Sequence, residues 1–419
     1  MKFLKVAFIL IFFLLISCND NSQDLKRVKL IYSILKVEYA PDKNTELFDI
    51  EFNTKNDKLV LTGEVTTLSG YYKIKNSLSH KHIKYKNKVR VLPDSAVGSN
   101  WFGVVKKPVI NTRNQPKISA KLANQALLGM PLKVIDKKGD FYRIQTPDKY
   151  ISWVAKEDII NMNKVDFTEW NQSKKVIFIE KHGFVYSDKD FKETVSEITL
   201  GSILKLVSNH EKYYEVEYPD KKKGFLLKNE AFPYDIWLKN LASNDLMKGR
   251  QHNIENVAKS LLESPYLLNG ASTKGMDASG FVKMVYLMNG FIIPKNIEQQ
   301  IKVGKTVDKN LDFTELDKGD LLFFGEKAIE EKQKTASHVG IWLGNDKQEF
   351  IHISENTRIS SMDEKQPNYD QFNKNRYLKS KRYLGVNDNN IIDLKNYSID
   401  KKTISRFYPL YKVKSNKIF

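Results

Sequence analysis

Two stretches of this chain share one layout, and that repeat limits what the chain can fold into. Val104 to Val154 and Val176 to Leu227 each break into short alternating apolar runs interrupted by Asp, Lys and Gly. The first carries Leu127-Leu128-Gly129-Met130-Pro131-Leu132, Phe141-Tyr142-Arg143-Ile144 and Tyr150-Ile151-Ser152-Trp153-Val154. The second answers with Leu200-Gly201-Ser202-Ile203-Leu204, Tyr213-Tyr214-Glu215-Val216 and Lys223-Gly224-Phe225-Leu226-Leu227. Alternation with a period of two buries one face of a strand, and self-similarity at a spacing of roughly 70 residues predicts two small β-barrels in tandem.

The flanks read differently. Between Arg27 and about Ser95, Val28 to Val37 fits a strand or a helix, while Phe48 to Phe52, Leu59 to Gly63 and Val89 to Leu92 fit strands, so a small α/β domain is expected over 27–95. The barrels occupy 96–163 and 164–238. After Asn253, Ile254, Val257, Leu261 and Leu262 share one helical face, and Phe281, Met284, Val285 and Met288 share another. Strand patterns return at Leu321–Phe324, His338–Leu343 and Glu349–Ile353, giving an α+β domain over 245–385. Residues 386–419 are a polar extension with a late aromatic cluster, Phe407, Tyr408, Leu410 and Tyr411, to which no function attaches. The fold class is multidomain, since 419 residues exceed one core.

Composition removes several functions. With 41% apolar residues the chain is no disordered polymer, and its single cysteine excludes a disulfide framework or a Cys-based zinc site. A net charge of +18 invites a nucleic-acid reading, but only nine of the 68 basic residues are arginine and the lysines form no stripe. Arginine is the residue of bidentate phosphate recognition, so no nucleic-acid partner is expected.

That one cysteine has a place. Lys2 and Lys5 precede the apolar run Val6 to Ile16, whose 11 residues are too few to span a bilayer and suit an export signal over 1–17. The ending Leu15-Ile16-Ser17-Cys18 resembles the lipobox of bacterial lipoproteins. It implies that Cys18 is lipidated, that residues 18–26 form a polar tether, and that the protein sits in the bacterial cell envelope, anchored to a membrane through the lipid on Cys18.

Asp277-Ala278-Ser279-Gly280 opens the second helix of the α+β domain, placing position 278 where unpaired N–H groups favour negative charge. A thiolate nucleophile would be stabilised there. His338 and His352 lie on two strands joined around Gly344-Asn345-Asp346, and hairpin pairing sets both imidazoles on one face, opposite or diagonal. A base and the group that orients it need that arrangement.

The run Pro265 to Phe281, then Asp317-Lys318-Gly319-Asp320-Leu321, Ser337-His338-Val339-Gly340-Ile341 and Phe350-Ile351-His352, resembles the NlpC-type family of cell-wall cysteine peptidases. Each barrel resembles a bacterial SH3-like domain. Together with the lipid anchor and N-terminal domain, the layout resembles the γ-D-glutamyl-L-diamino acid endopeptidase branch, which trims murein peptides bearing a free N-terminal L-alanine. The resemblance implies a papain-like peptidase domain with position 278 as nucleophile, His338 as general base and His352 as its orienting group. It also implies that Asp277 and Ser279 contact substrate, and that positions 121 and 150, here Lys121 and Tyr150, lie near the peptide's free ammonium.

The family's Asp-Cys-Ser-Gly stands here as Asp277-Ala278-Ser279-Gly280, and a methyl group cannot attack a carbonyl. Ser279 is a poor substitute, being rotated about 100° around the helix. Other departures are Leu268-Asn269 before the loop, Pro294-Lys295-Asn296 after the helix, and Lys121 where the family has glutamate. Lys121 would repel an ammonium. The chain is expected to be a catalytically inactive pseudoenzyme that binds murein-derived peptides or an envelope protein. The alternative is an active cysteine peptidase whose nucleophile was replaced by alanine; the departures at Lys121, Leu268, Lys295 and Asn296 exceed any single designed change. A metal enzyme using His338, His352 and Asp277 lacks close His-x-His or His-x-x-x-His spacing, so no metal or cofactor is expected. His80, His82, His182, His210 and His252 are expected at the surface or in loops; on a strand His80 and His82 would share a face, yet lysines surround them, and Trp153 and Trp342 are expected in the core or the cleft wall.

Overall fold

The structure, a computed structural model, describes residues 21–55, 58–243, 246–326 and 335–395. The apolar run Val6 to Ile16, Cys18, the Ser17 before it and the cluster Phe407 to Tyr411 lie outside the described residues. Among the described residues no helix is long and apolar enough to cross a membrane.

The chain divides into two compact units, Met1–Val91 and Leu92–Phe419. In the first, helix α1 (Asn21–Tyr39) precedes strands β1 (Phe48–Lys55) and β2 (Lys58–Val65), then α2 (Leu68–His80) and β3 (Tyr85–Val91). The sheet runs β1-β2-β3; β1 pairs antiparallel with β2, and α2 is the crossover that lets β3 run parallel to β2. Val28 to Val37, open between strand and helix in the sequence, is helical, with Val28 and Leu35 buried one heptad apart against Phe48, Ile50, Ile74 and Leu78. The helix begins at Asn21, so the expected tether through residue 26 is in part the first turns of α1. His80 and His82 are exposed, as expected: His80 ends α2 and His82 sits in the turn beyond it at φ 52°.

The second unit starts earlier than the sequence placed it. Leu92 is buried, and Asp94 N–H donates to the Ile135 carbonyl, so residues 92–95 belong with the first barrel. That barrel has strands β4 (Phe102–Val105), β5 (Val109–Arg113), β6 (Leu122–Leu127), β7 (Pro131–Lys138), β8 (Phe141–Gln145), β9 (Ile151–Ala155) and β10 (Ile159–Met162). After α3 (Lys164–Gln172) come β11 (Lys175–Phe178), β12 (His182–Tyr186), β13 (Thr194–Thr199), β14 (Ile203–Asn209), β15 (Tyr213–Glu217), β16 (Lys223–Leu227) and β17 (Ala231–Pro233). The first sheet is ordered β10-β4-β7-β8-β9-β5-β6. The second, β13-β12-β16-β15-β14-β11-β17, is the same strand order counted from the other end. The repeat in the sequence is therefore a repeat of topology, and Gly129 and Gly201, at equivalent turns, both adopt φ +81°. A Cβ on Gly129 would lie 1.9 Å from the Ile203 carbonyl oxygen of the neighbouring barrel, so close approach as well as φ requires glycine there.

The α+β part follows with α4 (Tyr234–Ser243), α5 (Leu246–Ser260), the two-residue strands β18 (Ala271–Ser272) and β19 (Gly275–Met276), α6 (Ala278–Leu287), β20 (Phe291–Ile292) and α7 (Ile297–Gln300). Strands β21 (Lys305–Val307), β22 (Leu321–Glu326), β23 (Thr335–Trp342), β24 (Glu349–Ile353), β25 (Thr357–Ser361) and β26 (Tyr377–Arg382), with α8 (Gln371–Asn375) before β26, form a sheet ordered β21-β26-β22-β23-β24-β25. Phe281, Val282 and Val285 of α6 pack with Leu321, Phe323, Val339, Ile341 and Ile351, the residues alternation turns to one sheet face. Residues 386–395 do not behave as an extension. Strand β27 (Ile392–Asp393) pairs with β20, Asp393 accepts from Arg250 at 3.3 Å, and Leu394 is buried in the main core.

Candidate functional site

Position 278 is built by glycines and a cap. β18 and β19 form a tight hairpin before α6, and a Cβ on Gly280 would meet the Gly270 carbonyl oxygen at 2.0 Å, so loop and helix touch through backbone. Asp277 is the N-cap: Oδ1 accepts from Gly280 N–H at 2.7 Å and from the Ser279 hydroxyl at 2.7 Å. Its Oδ2 accepts from Asn269 N–H at 3.0 Å and from Lys295 Nζ at 3.4 Å. Asp277 and Ser279, which the resemblance makes substrate contacts, are thus bonded to each other, to the loop and to Lys295. Lys295 is only 1% exposed; burial lowers its pKa and Asp277 works against that. Ala278 itself is 5% exposed, at the first position of α6.

The first barrel is part of this architecture. Gln125 on β6 accepts through Oε1 from Ala271 N–H and the Ser272 hydroxyl, both at 2.9 Å, and Asn269 Nδ2 donates to the Leu122 carbonyl at 3.0 Å. Lys121, exposed, immediately precedes that carbonyl. Tyr150 is buried, and its carbonyl accepts from Thr146 N–H at 3.0 Å. Two residues before it, Asp148 pairs with Lys283 of α6; burial would raise the Asp148 pKa, but Lys283 and Thr146 hold it low. Gln125 and Asp148 escaped the sequence reading, and Asn269 entered it only as a departure from the family pattern, because each finds its partner more than a hundred residues away.

The imidazoles meet as the hairpin parity required. His352 pairs in register with Gly340, which sets His338 diagonally across, and His338 Nε2 lies 2.8 Å from His352 Nδ1. The rings stand at 82° to one another. His352 Nε2 is 3.0 Å from the Ser360 hydroxyl and 3.8 Å from Asp370 Oδ2. Ser360 and Asp370 were not foreseen; β25 carries Ser360 two positions beyond Arg358, the register partner of His352, and Asp370 arrives by tertiary contact from the cap of α8. Burial, reinforced for His338 by His352 and for both rings by Arg358 and Arg376, pushes each pKa down to about 3. Both rings are therefore neutral at pH 7. With Nε2 of His338 engaged, its Nδ1 is the nitrogen left for an external group. The helix α6 packs against β23 and β24, and Ala278 shares a packed cluster with Ala336 and Val339, which flank His338 along the chain.

Neutral imidazoles in series, oriented by a hydroxyl and a carboxylate, form a general-base arrangement. What it lacks is a group to deprotonate at position 278. Trp342 is buried against Phe313 at 5.6 Å and Trp153 is buried beneath the Arg143 guanidinium, 5.4 Å from the ring centroid, so both belong to the protein's packing.

Comparison with known proteins follows the same division of the chain. Residues 263–381 match the NlpC/P60 family, and residues 112–159 match the bacterial dipeptidyl-peptidase SH3 domain. The chain is 29% identical over 233 residues to the gamma-D-glutamyl-L-lysine dipeptidyl-peptidase of Bacillus cereus, covering 54% of this chain and 66% of that relative, just under two thirds of its length. It is 34% identical over 122 residues to a murein DD-endopeptidase and murein LD-carboxypeptidase of Escherichia coli, covering 28% of this chain and 55% of the relative. A crystal structure of an NlpC/P60 family protein from Bacillus cereus superposes with a TM-score of 0.54 at 22% identity, covering 68% of this chain and 99% of the other, a likeness of fold.

Proposed function

From a chain that carries an NlpC/P60 domain over residues 263–381 and a bacterial SH3 domain over residues 112–159, we propose a cell-envelope lipoprotein that binds murein-derived peptides and does not cleave them. The observation that carries this reading is the methyl of Ala278 at the first position of α6, where the family places its nucleophile. The nearest hydroxyl along the chain, Ser279, is bonded to Asp277 at 2.7 Å, so it offers no replacement. Loss of the nucleophile removes the covalent step, whereas binding depends on cleft walls that remain: the Gln125 clamp, the Asn269 loop and the imidazole pair. Lys121 in place of glutamate disfavours a free ammonium and widens the ligand class to peptides without one, or to an envelope protein presenting such a segment.

The test is a hydrolysis assay on L-Ala-γ-D-Glu-diamino-acid peptides, with calorimetry on the same peptides. We expect saturable binding and no turnover by the chain as it stands; turnover would overturn the proposal. The Ala278→Cys variant decides how much machinery survives. Because the imidazole pair is intact at 2.8 Å, a second reading is an active peptidase whose nucleophile alone was replaced, and full activity on this single change would favour it. Failure of rescue would instead assign the loss to Lys121, Lys295 and Asn296 as well. Membrane attachment rests on Cys18: Cys18→Ala is expected to move the protein from the membrane to the soluble fraction of cells.

A further inference from the structure

The main core of the second unit is open at one place. Met130, Ile203, Leu238, Leu287 and Ile292 pack against it yet are only half-buried. All five line one recess of about 390 Å³, where both barrels, α3, α4 and the end of α6 meet. Phe167 and Trp170 of α3 line it as well. Apolar side chains left in contact with water inside a concave surface gain free energy when a molecule covers them, and a recess of this size takes a small molecule whole. It is not the cleft at position 278: Leu287 follows Ala278 by nine residues on α6, about 13.5 Å along the helix axis.

The charges in the recess narrow its occupant. Three lysines and two aspartates line it, Lys174, Lys175, Lys283, Asp148 and Asp235, so one positive charge is left over when all are ionised. Asp148 and Lys283 neutralise each other, and the exposed Lys174 and Asp235 carry opposite charges near the mouth. The surplus falls on Lys175, the first residue of β11. Its Nζ caps the end of α3, donating to the carbonyl oxygens of Trp170 and Ser173 and to the Ser173 hydroxyl at 2.8 Å. Among the described residues no carboxylate pairs with it. The charge that acts on it is another cation, Lys205, itself held by Glu217 at 3.0 Å. Burial first, and Lys205 second, push the Lys175 pKa down to about 7.

We infer that this recess binds an amphipathic monocarboxylate, with its hydrocarbon part against Ile203, Leu287, Phe167 and Trp170 and its carboxylate on the Lys175 ammonium in place of the Ser173 hydroxyl. Exchange of a neutral hydroxyl for an anion makes that bond charge-assisted and supplies the missing counter-charge. A neutral ligand leaves the surplus uncompensated, and a cation adds to it. Neither Ala278 nor the imidazole pair takes part, so the inference stands whether or not the cleft binds peptides.

The test is calorimetric titration of the full-length protein with decanoate below its micelle concentration, with decanol as the uncharged probe. Decanoate should saturate one site, and decanol should bind at least about tenfold more weakly. Lys175→Met should erase that preference, while Lys174→Met keeps it. Leu287→Trp fills the recess and should weaken decanoate binding at least about tenfold, with circular dichroism showing that the variant is folded. An anion beside Lys175 raises its pKa, so binding at about pH 7.5 should take up protons, seen as an enthalpy that changes with the ionisation enthalpy of the buffer. Absence of saturable decanoate binding overturns the proposal, as does equal affinity for decanoate and decanol. Binding that Leu287→Trp leaves unchanged overturns it too, since the ligand then sits elsewhere. Should Lys175→Met fail to fold, the comparison of the two probes on the parent and the Leu287→Trp titration decide the matter by themselves.

Discussion

His338 Nε2 and His352 Nδ1 form one hydrogen bond at 2.8 Å, and burial together with the guanidiniums of Arg358 and Arg376 outweighs the Asp370 carboxylate, which pulls the other way on His338. An unfolded imidazole titrates at 6.5, whereas both folded rings are held down to about 3. Between those values the unfolded chain takes up protons that the folded chain refuses. The stabilisation is thus complete above pH 6.5 and is lost as the pH falls toward 3. Two measurements check this. The ring carbon-bound protons of both histidines should not titrate by NMR between about pH 7.5 and 5, and the melting temperature should fall over the same interval less steeply in His352→Asn than in the parent. That the rings meet was legible in the sequence, because residues 338 and 352 have the parity that one hairpin brings to one face. Their depressed basicity was not, since it comes from burial beside Phe324 and Phe350 and from arginines placed by β25 and by the end of α8.

At the scale of elements, the hairpin β18–β19 and the start of α6 are held by a strand of a different domain. Gln125→Ala removes the acceptor of Ala271 N–H and of the Ser272 hydroxyl, both buried. It is expected to cost about 1–3 kcal/mol in urea unfolding and to speed exchange of the Ala271 amide, while leaving the barrel's own amides protected. Equal acceleration throughout β6 would show that the clamp is a property of the barrel and not of the loop. The start of α6 at Asp277 could be read from the sequence, because an aspartate N-cap is a matter of local backbone chemistry. The clamp could not, because Gln125 carries no local signature.

Over the whole molecule, two units with separate cores predict two calorimetric transitions, one for Met1–Val91 and one for Leu92–Phe419. Peptide binding should raise only the transition of the second unit, where Ala278, His338 and Gln125 reside. A single transition that shifts as one would contradict that independence. By itself the sequence determined the tandem barrels, the α+β order that follows them and the methyl group at position 278, since periodicity, glycine placement and side-chain chemistry are properties of the chain at short range. Only the tertiary structure decided that residues 386–395 return to the core through β27 paired on β20, that Asp148 and Lys283 link barrel to helix, and that Ser360 and Asp370 complete the imidazole series. Those contacts join residues that share no local period, and burial alone gives them their strength.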